Sequence, residues 1–215
     1  NILTYGWVLG THDHEILAEH SGEGSGNPTS HRAEGWGLLS GALFLYHLHQ
    51  YTKGTGNSTI ASEPPVTFIS DNNGLITRIQ QRQQYTTVYP NATLAADWDL
   101  VEQITHTVQH IPYGDISFAW VQGHQDETKS DLPVEAVYNI RADYLAGNHD
   151  ATRRISAVSP VHLLPAAKCM LVIHDNTIHG HYIQAIRQAY MLPDYHRYLE
   201  QRNGWATASS DDIDW

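Results

Sequence analysis

The strongest constraint on this chain is the way two hydrophobic periods alternate along its N-terminal part. Thr4 to Gly10 (TYGWVLG) is β-rich and aromatic, and Glu15 to His20 (EILAEH) is similar. The polar turn Thr11-His12-Asp13-His14 between them predicts a β-hairpin. Past a Gly/Ser/Pro loop from Ser21 to Thr29, the apolar spacing becomes helical. Leu38, Ala42 and Leu45 form one stripe, with Leu39, Leu43 and Tyr46 beside it. With Ser30 as N-cap, this predicts a broadly buried helix from about His31 to Tyr51. A Gly/Ser/Pro-rich linker from Thr52 to Pro65 follows. Val66 to Ser70 (VTFIS) is then a short apolar strand running into Asp71-Asn72-Asn73-Gly74, with a helix after it through Leu75, Ile76 and Ile79. Another helix is predicted from about Ala95 to His110, a strand from Ile116 to Gln122, and a helix through Ala146, for which Pro133 suits the first turn. A period of two and a period of 3.6 cannot serve the same element. The order strand, strand, helix, strand, helix, helix, strand, helix therefore predicts an α/β fold, a mixed sheet flanked by helices.

Beyond Asn148 the pattern changes, so the chain divides into residues 1-150 and a C-terminal extension, residues 151-215, of unknown role. The extension reads as small and α+β. Lys168 to Ile173 is a strand, and Ile178 to Tyr182 pairs with it across Asp175-Asn176. Helices are predicted over Tyr182 to Tyr190 and over Tyr195 to Arg202, before an acidic end at Ser209 to Trp215.

Composition narrows the function classes. A chain of 215 residues suits one domain with an appendage, and 41% hydrophobic residues are enough for a packed core. No apolar run approaches the roughly 20 residues that cross a bilayer, so no membrane is expected as a partner. The single cysteine, Cys169, excludes a disulfide within the chain and favours a reducing, intracellular setting, cytoplasm or nucleus. A formal net charge of −11 argues against gripping nucleic acid by bulk electrostatics and suits a chain that gathers carboxylates around metal ions. The alternating Gly22, Gly24 and Gly26 lack the Lys-Ser/Thr pair of a phosphate-binding loop and read as a turn. His174, His179 and His181 with Asp175 fit no zinc spacing and read as a polar hairpin. Trp7, Trp36, Trp98 and Trp120 lie in patterned elements and read as core.

Four short segments carry potential chemistry: His31-Arg32-Ala33-Glu34 at the start of the long helix, Asp71 at a strand's carboxyl end, Gly123-His124-Gln125-Asp126 just after another strand, and Asn139-Ile140-Arg141-Ala142-Asp143-Tyr144-Leu145-Ala146 on a helix. Singly, each has an ordinary explanation. Glu34 favours the helix dipole, Asp71 could cap the next helix, Asn139 and Asp143 share a helix face, and a loop His124 would be solvated. Together they are harder to dismiss, because active sites of α/β sheets form outside the carboxyl ends of strands.

The order Arg32-Ala33-Glu34, strand-end Asp71, Gly123-His124, then Asn139-x-x-Ala142-Asp143-x-Leu145-Ala146 resembles the ribonuclease H family, in the variant attached to reverse transcriptases of eukaryotic retroelements. The resemblance covers about Thr4 to Asn148. It implies a ribonuclease H-like mixed sheet and a metal-dependent endonuclease that hydrolyses the RNA strand of RNA–DNA hybrids, with a reverse transcriptase domain as partner in the same polyprotein. Glu34, Asp71 and Asp143 would be ligands to two Mg²⁺ ions roughly 4 Å apart, with Mn²⁺ able to substitute. His124 would assist catalysis from a mobile loop. The family's first strand carries a further Asp in a DG motif. Here Tyr5-Gly6-Trp7-Val8-Leu9 resembles the second strand, no acid precedes it, and Asp13 falls in the following turn. The first strand is therefore expected to be missing, the chain beginning downstream of it. Asn72 stands where many members have Ser. Two other readings stay open: a catalytically inactive ribonuclease H-like scaffold or nucleic-acid-binding module, and another nuclease of the same superfamily.

Overall fold

The computed structural model describes residues 3–54, 64–87, 94–112, 114–127, 131–149, 164–167, 171–173 and 176–201. The chain is mixed α/β. Strands β1 (Thr4–Gly10) and β2 (Ile16–Glu23) form the expected antiparallel hairpin, pairing Trp7 with His20 and Tyr5 with Gly22. β2 continues three residues into the segment that composition reads as loop. Helix α1 spans Ser30–Gly54. Its cap lies one residue earlier than expected: Thr29 Oγ1 accepts from the Arg32 amide at 3.2 Å, and Ser30 is already helical.

Strand β3 (Val66–Ser70) and helix α2 (Asn73–Gln83) follow, then α3 (Trp98–Gln109), β4 (Ile116–Trp120) and α4 (Val134–Gly147). β3 and β4 pair in parallel, Phe68 opposite Phe118. Their rings stack 5.2 Å apart on a core made with Leu39 and Ala42 of α1, Leu75 and Ile79 of α2, and Leu100 and Ile104 of α3. Every one of these aliphatic side chains is essentially removed from water, which is the main favourable term for this layer.

A single mixed sheet does not form among the described residues. The strands make three two-stranded sheets: β1-β2, β3-β4 and a third described below. Helices rather than backbone hydrogen bonds hold the first two together, because α1 and α4 each touch both β1 and β3. Neighbouring residues of a strand point to opposite faces. On β1, Trp7 donates to Ser40 of α1 at 3.0 Å, while a Cβ at Gly6 would strike Ala142 and Leu145 of α4. α1 and α4 thus enclose β1 from its two sides.

In the C-terminal part, β5 (Leu171–Ile173) pairs antiparallel with β6 (Asn176–Ile178), and α5 spans Tyr182–Glu200. The returning strand lies earlier than expected: Ile178 ends it, and Tyr182 starts the helix. The two expected helices are one, running through Pro193. Proline removes a single amide donor and need not end a helix whose flanking residues remain helical. Residues 168–170, His174, Asp175 and 209–215 lie outside the described residues.

Candidate active site

Two of the expected acids meet because strand β3 delivers them. Its last residue, Ser70, donates from Oγ to Glu34 Oε2, and Asp71 follows directly. Capping of α2 falls to Asn72, whose side chain accepts from the Leu75 amide at 3.0 Å. The ordinary explanation for Asp71, that it caps the helix, is therefore taken by its neighbour. The Asp71 carboxylate is turned instead toward Glu34 and toward Gly123, where an added Cβ would collide with it. Asn72 in place of Ser costs nothing locally, since it makes this cap.

Electrostatics ties the set together. Burial above all, with the hydrogen bond and charge of Asp71 and the charge of Asp143, raises the Glu34 pKa to about 8 against the opposing Ser70 hydroxyl. Asp143, on α4, is surface-exposed but partly shielded. Its pKa is raised by that shielding first, then by Asp71, with His124 opposing and Asp126 adding. His124 sits on the loop after β4 with φ of 52°, its side chain 73% exposed and its Nδ1 4.0 Å from Glu127 Oε1. All four expected residues thus face one region outside the carboxyl ends of β3 and β4.

Among the described residues, no arginine or lysine pairs with Glu34, Asp71 or Asp143. Nor do any three His, Cys, Asp or Glu side chains come close enough to form a ready-made cation cage. Glu34 and Asp71 are in contact, and Asp143 acts on them across a longer gap. The donors are all oxygens, and a buried carboxyl with a raised pKa and no cationic partner is a place where a hard divalent cation would replace a proton.

Residues not singled out from the sequence matter here. Ser70 anchors Glu34. Trp120 is not core: it is 52% exposed at the end of β4, and its Nε1–H donates to the Asp71 carbonyl at 2.8 Å. Strand alternation places it on the Phe118 face, but the core on that face ends at Phe118, two residues before it. Trp98 is buried as expected, and Trp7 and Trp36 are half-buried. Arg32, noted only as part of a motif, is 1% exposed and bonded to Asp97 and Asp99.

No protein-family model, curated protein or solved structure matches this chain.

Proposed function

We propose that the chain is a ribonuclease H-type domain: a metal-dependent endonuclease that hydrolyses the RNA strand of RNA–DNA hybrids as part of a retroelement reverse transcriptase. The observation that carries this reading is the electrostatic grouping of Glu34, Asp71 and Asp143 beyond the ends of β3 and β4, with Glu34 pushed up to about 8 and, among the described residues, no basic side chain paired with it. Bound there, Mg²⁺ or Mn²⁺ would supply Lewis-acid stabilisation of the phosphodiester oxygens. Ser70 orients Glu34, Asn72 frees Asp71 from capping, and His124, exposed on its loop, is placed to move a proton or to help product leave. Hybrid recognition would rest on groove shape and 2′-hydroxyls rather than on net charge, which is −11. The exposed face of Trp120 beside Asp71 offers a stacking surface for a base. A further strand carrying an Asp would find its place between β1 and β3, whose neighbouring helices α1 and α4 both reach across them.

The test is cleavage of an end-labelled RNA–DNA hybrid in Mg²⁺, by this chain and by the chain with an added N-terminal strand bearing an Asp-Gly pair. Cleavage lost in Asp71→Asn supports the enzyme. A folded, strand-completed protein that leaves the hybrid intact supports the second reading, an inactive scaffold, which the net charge of −11 favours.

A further inference from the structure

The C-terminal part carries none of the resemblance, yet the described portions of it are fastened to α3. The Ala166 amide donates to Gln103 Oε1 at 2.8 Å, and Leu164 packs against the core. The Asp97 amide donates to the His179 carbonyl at 2.6 Å, and Gly180 lies against Ala96. The His179 side chain is 7% exposed, with Nδ1 3.6 Å from Asp99 Oδ2. Its Nε2 is buried with no hydrogen-bond partner among the described residues. The same Asp99 oxygen also meets Arg32, whose NH2 is 2.7 Å from Asp99 Oδ2 and whose NH1 is 2.9 Å from Asp97 Oδ1. Gly26, at φ +99°, closes over the assembly, and a Cβ there would strike both Arg32 and His179.

Arg32 sits in the first turn of α1, two residues before Glu34. First turns fray because their amides lack partners within the helix. A guanidinium held in fork geometry by two carboxylates removes that freedom. We propose that His179 and Asp99 are positioning residues for Glu34: the C-terminal hairpin, through Asp99 and Arg32, fixes the turn from which the carboxylate projects. The segment after residue 164 is then a support of the candidate site and not a separate appendage. The consequence for cation binding rests on the proposed role of Glu34, whereas the mechanical coupling does not.

The experiment uses the full chain with His179→Ala, His179→Asn and a control, Val108→Ala, which opens a cavity at the far end of α3 where the side chain is 5% exposed. Asn keeps a side-chain nitrogen facing Asp99. Hydrogen–deuterium exchange is read over residues 30–37, and Mg²⁺ binding is read by thermal shift. His179→Ala should speed exchange over 30–37 by about tenfold relative to the control, because it releases a local unit. It should also weaken Mg²⁺ binding by about tenfold, as supporting residues around metal ligands do. His179→Asn should restore much of both. Faster exchange confined to 164–201, with 30–37 matching the control, overturns the coupling. Coupled exchange in a protein that ignores Mg²⁺ upholds the coupling and overturns the proposed function instead. If His179→Ala does not fold, Asp99→Asn, which keeps the shape and removes the charge facing Arg32, is read in its place.

Discussion

Helix α1 carries two ionisable groups two residues apart that meet opposite fates. Arg32 is buried against Asp97 and Asp99, and its guanidinium pairs with both carboxylates. Burial alone would raise the Asp99 pKa, but His179 and Arg32 more than offset it and hold the carboxyl below the ordinary range. Glu34 is buried against Asp71, with Asp143 beyond, and among the described residues nothing positive pairs with it; burial first, and then those carboxylates, raises its pKa to about 8. The same helix, the same turn and the same kind of carboxylate neighbours give a charge-paired clamp on one side and a buried carboxyl with a raised pKa on the other. The difference lies in whether the fold supplies the counter-charge itself.

The comparison breaks most readily at Arg32. Arg32→Leu strands two buried carboxylates and should cost about 3–5 kcal/mol in chemical denaturation. A loss under about 1 kcal/mol would mean the clamp is ornamental.

The two sites should also respond to pH with opposite sign. Glu34 has a folded pKa raised from 4.5 to about 8, so its contribution to stability is present below 4.5 and lost as pH rises towards 8. Asp143 shifts in the same direction. The depressed Asp99 contributes stability above its unfolded value that is lost as pH falls through it. Thermal melts across pH should therefore show metal-free protein weakening on both flanks. Mg²⁺ at about a hundredfold its Kd should restore about 2.7 kcal/mol, most strongly on the alkaline flank, where no proton competes. A uniform Mg²⁺ effect at every pH would detach it from Glu34.

A smaller effect is expected at Trp120. Its exposed ring buries little, so Trp120→Ala should leave the melting temperature nearly unchanged. Fluorescence-polarisation binding of a hybrid should weaken about tenfold, the scale of one lost base stack. Equal affinity would remove the indole from the interface. Smallest is Asp71→Asn, which relieves like-charge repulsion on Glu34 and should stabilise metal-free protein by about 1 kcal/mol above pH 7 in the same denaturation assay. A clear loss of stability would show that Asp71 is structural.

Much of this arrangement was legible in the sequence. The hairpin, β3 and the helix order follow from periodicity, which burial enforces locally. β3 matches its expected bounds because VTFIS is a short apolar run ended by polar turn residues. Motif order grouped Glu34, Asp71, His124 and Asp143, and the structure brings them within electrostatic reach of one another. Other features lay beyond local pattern. Trp120 alternates as a core residue should, but whether the core extends beneath it depends on helices distant in sequence. Asn72 rather than Asp71 as cap depends on which side chain the turn presents to Leu75. The pairing of Arg32 with Asp97, Asp99 and His179 joins segments more than sixty residues apart, and no spacing rule brings them together. The one-helix course of α5 through Pro193 likewise runs against the local signal.

The central claim is that the Glu34 carboxyl holds a proton in place of a divalent cation. Calorimetric titration of Mg²⁺ near pH 7 in two buffers of different ionisation enthalpy tests it directly. Saturable binding that releases roughly one proton, with both the binding and the release lost in Glu34→Gln, is the predicted result. Mg²⁺ isotherms that are the same for the two proteins, with no proton exchanged, would contradict it.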